Sequence, residues 1–138
     1  MTTSLETVAK FMATVIWADG VYDEAEKITV EEISEALELD TAKFKAAVEK
    51  ELKAVKTMDE KAATRYLEDA AEEVADEEIG EIFECAMQLV LADNKLAYNE
   101  ITDLLIMADA LGLEHEYAVL MLADMVKEEP ELEISFEE

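Results

Sequence analysis

The sequence predicts an all-α fold, a single compact bundle of about seven helices in which two three-helix pseudo-repeats are joined by a connector helix. Three observations carry this reading. The 138 residues contain three glycines and one proline, which leaves little room for β-turns. Alanine, leucine, glutamate and lysine, the strong helix formers, dominate the chain. Apolar residues recur three and four positions apart along most of its length, the period of a helix with one buried face. A chain of this length makes one domain and needs no disulfide or metal staple to bury a core.

The elements follow in order. The first helix is predicted to open at Thr3, with Glu6 completing a Thr-x-x-Glu capping box. Its apolar face is Leu5, Val8, Met12, Val15 and Ile16, and Gly20 stands at its C-terminal stop. Asp23 caps the second helix with Glu26 three residues on, and Val30, Ile33 and Leu37 form its buried stripe. Asp40 or Thr41 opens the third, which carries Phe44, Ala47, Val48 and Leu52. Asp59 opens the fourth, with Ala63, Tyr66, Leu67 and Ala70. Asp76 opens the fifth, running through Ile79, Ile82, Phe83, Ala86, Leu89 and Val90. The sixth lies near Tyr98 to Leu111 and stops at Gly112; the seventh runs from about Glu114 to Val126, and Pro130 forbids much continuation.

Shifted by 74 residues against itself, the chain matches without a gap. Leu5 falls on Ile79, Val8 on Ile82, Val15 on Leu89, Val30 on Leu104, Ile33 on Met107, Val48 on Leu122 and Leu52 on Val126. Three consecutive helices in phase, with stops in the same places, indicate an internal duplication. The expected helical domain spans residues 1–128, with repeat one at about 4–54, the connector at about 58–75 and repeat two at about 76–127. Residues 129–138 form an acidic tail in which Leu132, Ile134 and Phe136 alternate with polar residues, a strand signal.

Charge sets the functional limits. Eleven basic against 36 acidic residues give a net charge of −25. That excess disfavours nucleic acid, whose binding calls for a basic stripe, and anionic membrane surfaces. It favours cations and basic proteins. The charge is uneven: residues 43–65 hold seven of the eleven basic residues, whereas residues 66–100 hold eleven acids and one lysine. The acidic stretch suits a basic protein partner, or the basic helices of the same chain, within the fold or across a homo-oligomer. With one cysteine, Cys85, no intramolecular disulfide forms. No apolar run approaches a membrane span, and the first residues lack the basic start and apolar stretch of a secretory signal, so a cytoplasmic location is expected.

One local pattern recurs. IWADGVYDEAE (Ile16 to Glu26) returns as VLADNKLAYNE (Val90 to Glu100), sharing an Ala-Asp pair and a glutamate seven residues after that aspartate. Asp19 and Asp93 fall at helix C-termini, where the helix dipole opposes an acid by roughly 0.3–1 kcal/mol. Two accounts compete. Each aspartate can form an Asx-type helix stop, as Gly20 and Asn94, the residue types that best tolerate a left-handed turn, suggest. Alternatively Asp19, Glu26, Asp93 and Glu100 are brought together by the pseudo-twofold arrangement and hold a hard cation through oxygen, with Asp23 as an accessory. Glu100 favours the second account, because the residue at its cap position is Ala97, which caps poorly. Neither copy is an EF-hand loop: the sixth residue from Asp19 is Glu24 and the twelfth is Val30. The paired Glu-x-x-His of a ferritin-like diiron site is excluded by a single histidine, His115.

The Ala-Asp-Gly turn, its acid-rich continuation to Glu26 and the degenerate second copy resemble the TerB family of tellurite-resistance proteins, over roughly Leu5 to Val126. A similar domain occurs in some membrane-anchored DnaJ-like co-chaperones. The resemblance implies a compact helical domain of pseudo-repeats, a role in stress or tellurium-oxyanion resistance, divalent-cation binding and no enzymatic activity. It maps the family's acidic positions onto Asp19, Glu26, Asp93 and Glu100. The second copy departs at Asn94, where the family often has glycine, and places Lys95 beside the site.

The remaining reactive residues point away from catalysis. Cys85 lies beside an apolar helix face and reads as a buried, inert thiol. His115 reads as a surface residue, and with three serines (Ser4, Ser34 and Ser135) no nucleophile–base pair is in view. Met87, Met107, Met121 and Met125 read as core filling, with an adaptable peptide groove as the alternative. Trp17, beside the first acidic turn, reads as core and as a fluorescent reporter. The expected function is a non-enzymatic stress protein binding calcium, magnesium or zinc. The alternative is an acidic module that docks a basic partner without metal; a carboxylate-based metal hydrolase has no supporting feature.

Overall fold

The computed structural model describes residues 2–19, 22–93, 95–128 and 133–135; for Asp19, Asp93 and 133–135 it describes the backbone alone. Seven α-helices are present among them: α1 (Leu5–Asp19), α2 (Glu24–Ala36), α3 (Thr41–Val55), α4 (Glu60–Ala71), α5 (Ile79–Val90), α6 (Tyr98–Leu111) and α7 (His115–Lys127). Single 3-10 turns at Asp76–Glu78 and Leu91–Asp93 flank α5. Two three-residue strands, β1 (Lys95–Ala97) and β2 (Glu133–Ser135), pair in parallel. The chain is all-α, with this short strand pair as its one departure among the described residues.

Side-chain caps set most helix starts. Asp23, Asp40 and Asp59 each accept the backbone N–H three residues on, at 2.9, 2.9 and 2.8 Å. The first helix differs from expectation: Ser4, not Thr3, is its cap, with Ser4 Oγ accepting Thr7 N–H at 3.2 Å. Thr3 is engaged elsewhere. Its N–H and hydroxyl both donate to Glu78 Oε1, at 2.7 and 2.6 Å, and Thr2 N–H donates to Oε2 at 3.0 Å. Ala75 N–H donates to Thr3 Oγ1 at 3.0 Å, and Thr7 Oγ1 donates to Glu73 at 2.9 Å. The residues before α1 are thus bound to those before α5. The expected opening of the fifth helix at Asp76 is also amended, since one 3-10 turn precedes α5 proper.

Helices α2 and α6 close in the same way. Leu113 N–H reaches back to Ala108 O at 2.8 Å around Gly112 at φ 79°, and Leu39 N–H reaches Ser34 O at 2.8 Å around Glu38 at φ 58°. Both are Schellman closures. Glycine adopts the left-handed conformation freely; glutamate does so against the clash of its Cβ. Gly20, the expected stop of α1, and Pro130 lie outside the described residues.

The core centres on α1. Val8, Ala9, Phe11, Met12, Ala13, Val15 and Ile16 are all buried, so the helix is covered on nearly every side rather than along one stripe. Helices α3, α4, α5 and α6 pack around it. A helix that is apolar all round belongs inside, and this one does so in a small domain. The helix starts Leu5, Glu24 and Thr41 recur as Ile79, Tyr98 and His115, each 74 residues on. The packing crosses between halves: α1 meets α6 and α2 meets α5.

The third pair breaks the correspondence. Helix α3 lies along α1 with Phe44, Val48 and Leu52 buried, whereas α7 packs chiefly on α6. Leu122 and Val126, matched in sequence to Val48 and Leu52, are only half-buried, and Tyr117, Val119 and Leu120 are exposed. Helix α5 packs instead on α1, α2 and α6. The alternating tail contributes a short strand, with Lys95, Leu96 and Ala97 opposite Glu133, Ile134 and Ser135; Leu132 and Phe136 lie outside the described residues.

Three outcomes are expected from this packing. Phe11→Ala should cost about 3–5 kcal/mol by denaturant unfolding, the usual range for a buried phenylalanine. Glu38→Gly should raise stability by up to about 1 kcal/mol, while Gly112→Ala should lower it by about as much. The Thr3 hydroxyl, with the Thr3 and Thr2 amides, holds the Glu78 carboxyl below its ordinary value against the opposing effect of burial. A depressed carboxyl stabilises the fold at neutral pH, and that contribution is lost as pH falls through the folded-state value. Glu78→Gln should therefore lower the melting temperature near pH 7 and flatten its decline below about pH 4.5.

Candidate functional site

The repeated acids occupy matching places. Asp19 ends α1 and Asp93 ends the 3-10 turn that follows α5; their side chains lie outside the described residues. Glu26 and Glu100 are the third residues of α2 and α6. Both are nearly withdrawn from solvent, at 3% and 6% exposure, where carboxylates are held by partners.

Each glutamate reaches back to the start of its own helix. In the first copy the capping box is complete: Glu26 N–H donates to Asp23 Oδ1 at 2.9 Å, and Asp23 N–H donates to Glu26 Oε1 at 3.2 Å. In the second copy Ala97 has no side-chain acceptor, so only the return half exists, with Ala97 N–H donating to Glu100 Oε1 at 2.9 Å. The expectation that Glu100 lacks a local partner is therefore corrected. A glutamate at this position needs only the backbone N–H of the cap residue, whatever that residue's side chain.

Packing sets these segments across from each other. Helix α2, which carries Glu26, meets the Leu91–Asp93 turn; α6, which carries Glu100, meets α1, and Ala18 and Glu100 line one groove. Among the described residues, no three of histidine, cysteine, aspartate and glutamate are grouped so as to hold a metal. Around the first acidic turn the potential is strongly negative. Burial, then the carboxylates of Glu49, Glu26 and Glu31, push the Tyr22 phenol up to about 12. Lys27 Nζ stands 5.5 Å from the centre of the Tyr22 ring, and Lys45 pairs with Glu31 at 2.7 Å. The same pairing raises the Lys45 ammonium.

A groove of about 580 Å³ opens between α1, α4 and α6. Val15, Trp17, Leu67, Leu104, Ile106 and Met107 supply much of its apolar lining. Glu60 and Asp103 face into it from α4 and α6. Asp103 is half-buried, and burial followed by the charge of Glu60 raises its carboxyl above the ordinary value. Sequence reasoning did not single out this pair. Asp103 follows Glu100 by three residues in an acidic chain and has no local signature, and Glu60 lies on a different helix.

Cys85 and His115 do not line the groove. Cys85 is buried in α5, and burial, with Glu81 and Glu84 adding, pushes its thiol up to about 12. His115 Nε2 lies 2.7 Å from Asp109 Oδ1 on the exposed surface. Met87 and Met107 are buried, while Met121 and Met125 are half-buried on α7. Among the described residues no helix is long and apolar enough to cross a membrane.

No curated protein and no solved structure matches the chain. The family described as tellurite resistance protein TerB matches residues 6–122, an interval running from the first turn of α1 into α7. On that match across most of its length, the chain belongs to the TerB family.

Proposed function

We propose that this protein is a cytoplasmic, non-enzymatic binding protein of the tellurite-resistance and stress type. In this reading it takes up a divalent cation through Asp19, Glu26, Asp93 and Glu100, with Asp23 as an accessory. The observation that carries the reading is the pair of withdrawn glutamates. Glu26 and Glu100 sit at equivalent positions in the two halves, each on a helix that packs against the other half's acid-bearing segment. Each carboxylate already accepts its own cap amide, and in a chain of net charge −25 a hard cation beside them adds favourable charge to that arrangement. Oxygen-only donors suit magnesium or calcium better than zinc, which prefers nitrogen and sulfur ligands. The absence of catalysis in this reading is supported by the separation of Cys85, inside α5, from His115 on the surface.

Calorimetric titration of the full chain with calcium, magnesium and zinc checks the proposal. Saturable binding of at least one ion is expected, weakened about tenfold or more by Asp19→Asn and by Glu26→Gln. The glutamine keeps the oxygen that accepts Asp23 N–H, so loss of affinity reports charge rather than a broken helix start. One ion per chain indicates a shared site and two indicate separate ones. No heat with any ion, or unchanged affinity in both variants, rejects the cation reading.

A further inference from the structure

The groove between α1, α4 and α6, which Glu100 also lines, holds further charge in an unfavourable place. Asp103 is half-buried there and faces Glu60 across an apolar lining. Among the described residues the Asp103 carboxylate accepts no hydrogen bond and forms no ion pair. Lys61 and Arg65 flank Glu60 on the outer side of α4, but neither forms an ion pair with it. Two neighbouring carboxylates without a cation disfavour the fold and are met most simply by a positive group from outside. The lip of the groove is apolar as well: Ile106 is 38% exposed and Tyr98 49% exposed.

We propose that this groove is the docking site for a basic amphipathic helix of a partner protein. Its lysine or arginine lies between Asp103 and Glu60, and its apolar side chains pack on Trp17, Leu67, Ile106 and Met107. The chemistry selects this occupant over its rivals. A net charge of −25 steers a basic partner inward and repels a second copy, an anionic lipid surface and the chain's own acidic tail. The strand of that tail is in any case paired with β1. A bare metal ion finds the carboxylates of Glu60, Glu100 and Asp103 here, but Glu100 already accepts the Ala97 N–H and the lining is largely apolar, so the ion gives up much of its oxygen shell. A helix presenting apolar residues three and four apart beside one cation uses both parts of the site. The volume, about 580 Å³, suits several side chains rather than one ion.

The one tryptophan lines the groove and supplies the readout. The full chain, in buffer containing a chelator, is titrated with a synthetic leucine–lysine helical peptide while Trp17 emission is followed. The leucine–glutamate version of the peptide and free arginine are the controls. A saturable emission change is expected with the lysine peptide only. Asp103→Asn should weaken binding about tenfold or more. Thr64→Arg should abolish it by placing a guanidinium in the groove, and Glu35→Gln, exposed on α2, should leave it within about twofold. In the free chain Asp103→Asn should raise the melting temperature, because it removes one of two facing charges. No emission change, equal weakening in all three variants, or a lowered melting temperature in Asp103→Asn would overturn the proposal. Arginine acting as well as the peptide would overturn the helix as occupant. The chelator separates this site from the cation reading, so calcium or magnesium binding can fail while peptide binding stands.

Discussion

The burial of α1 is the constraint from which the architecture follows. Seven apolar side chains on this one helix leave solvent, each contributing roughly 1.5–3 kcal/mol for a large residue and less for alanine. No single neighbour can cover a helix all round. Cover comes from α3 and α4 on one part of the chain and from α5 and α6 on another, so neither half closes a core alone. This explains why two sequence-similar halves make one domain rather than two. It also fixes function-bearing segments, because the residues that cover α1 include α6, the carrier of Glu100 and Asp103.

Much of the fold is legible from local chemistry, and the unread parts share a physical cause. Asp23, Asp40, Asp59 and Gly112 could be assigned from sequence because caps and stops are decided by a residue and its near neighbours. Thr3 was misassigned because its alternative partner, Glu78, lies 75 residues away. Glu38 gave no sign of its left-handed backbone, since glutamate is not a residue type that invites one. The apolar stripe of α1 read as one face because alanines at its sides count weakly toward periodicity, although Ala9 and Ala13 are as buried as Phe11. The displacement of α7 was invisible for another reason. Its sequence keeps the phase of α3, but which neighbour a helix packs on is decided by tertiary contacts that the phase does not encode.

The candidate sites divide along the same line. The repeated aspartate and glutamate could be read from spacing, and the structure adds that both glutamates are withdrawn and each holds its own cap amide. Local structure thus accounts for part of each glutamate's hydrogen bonding. The Asp103–Glu60 pair belongs to tertiary packing alone and had no sequence signal. Two acidic features of different character result. One is built at helix starts with backbone help, and the other lies between helices against apolar walls. Glu100 belongs to both, since it accepts its cap amide at the start of α6 and also lines the groove.

Full enclosure of α1 has a consequence for biosynthesis. The helix emerges from the ribosome before every helix that covers it, and α6 is complete only about 90 residues later, on the order of ten seconds at ordinary translation speed. Through that interval a strongly apolar segment of an otherwise highly charged nascent chain has no finished shelter.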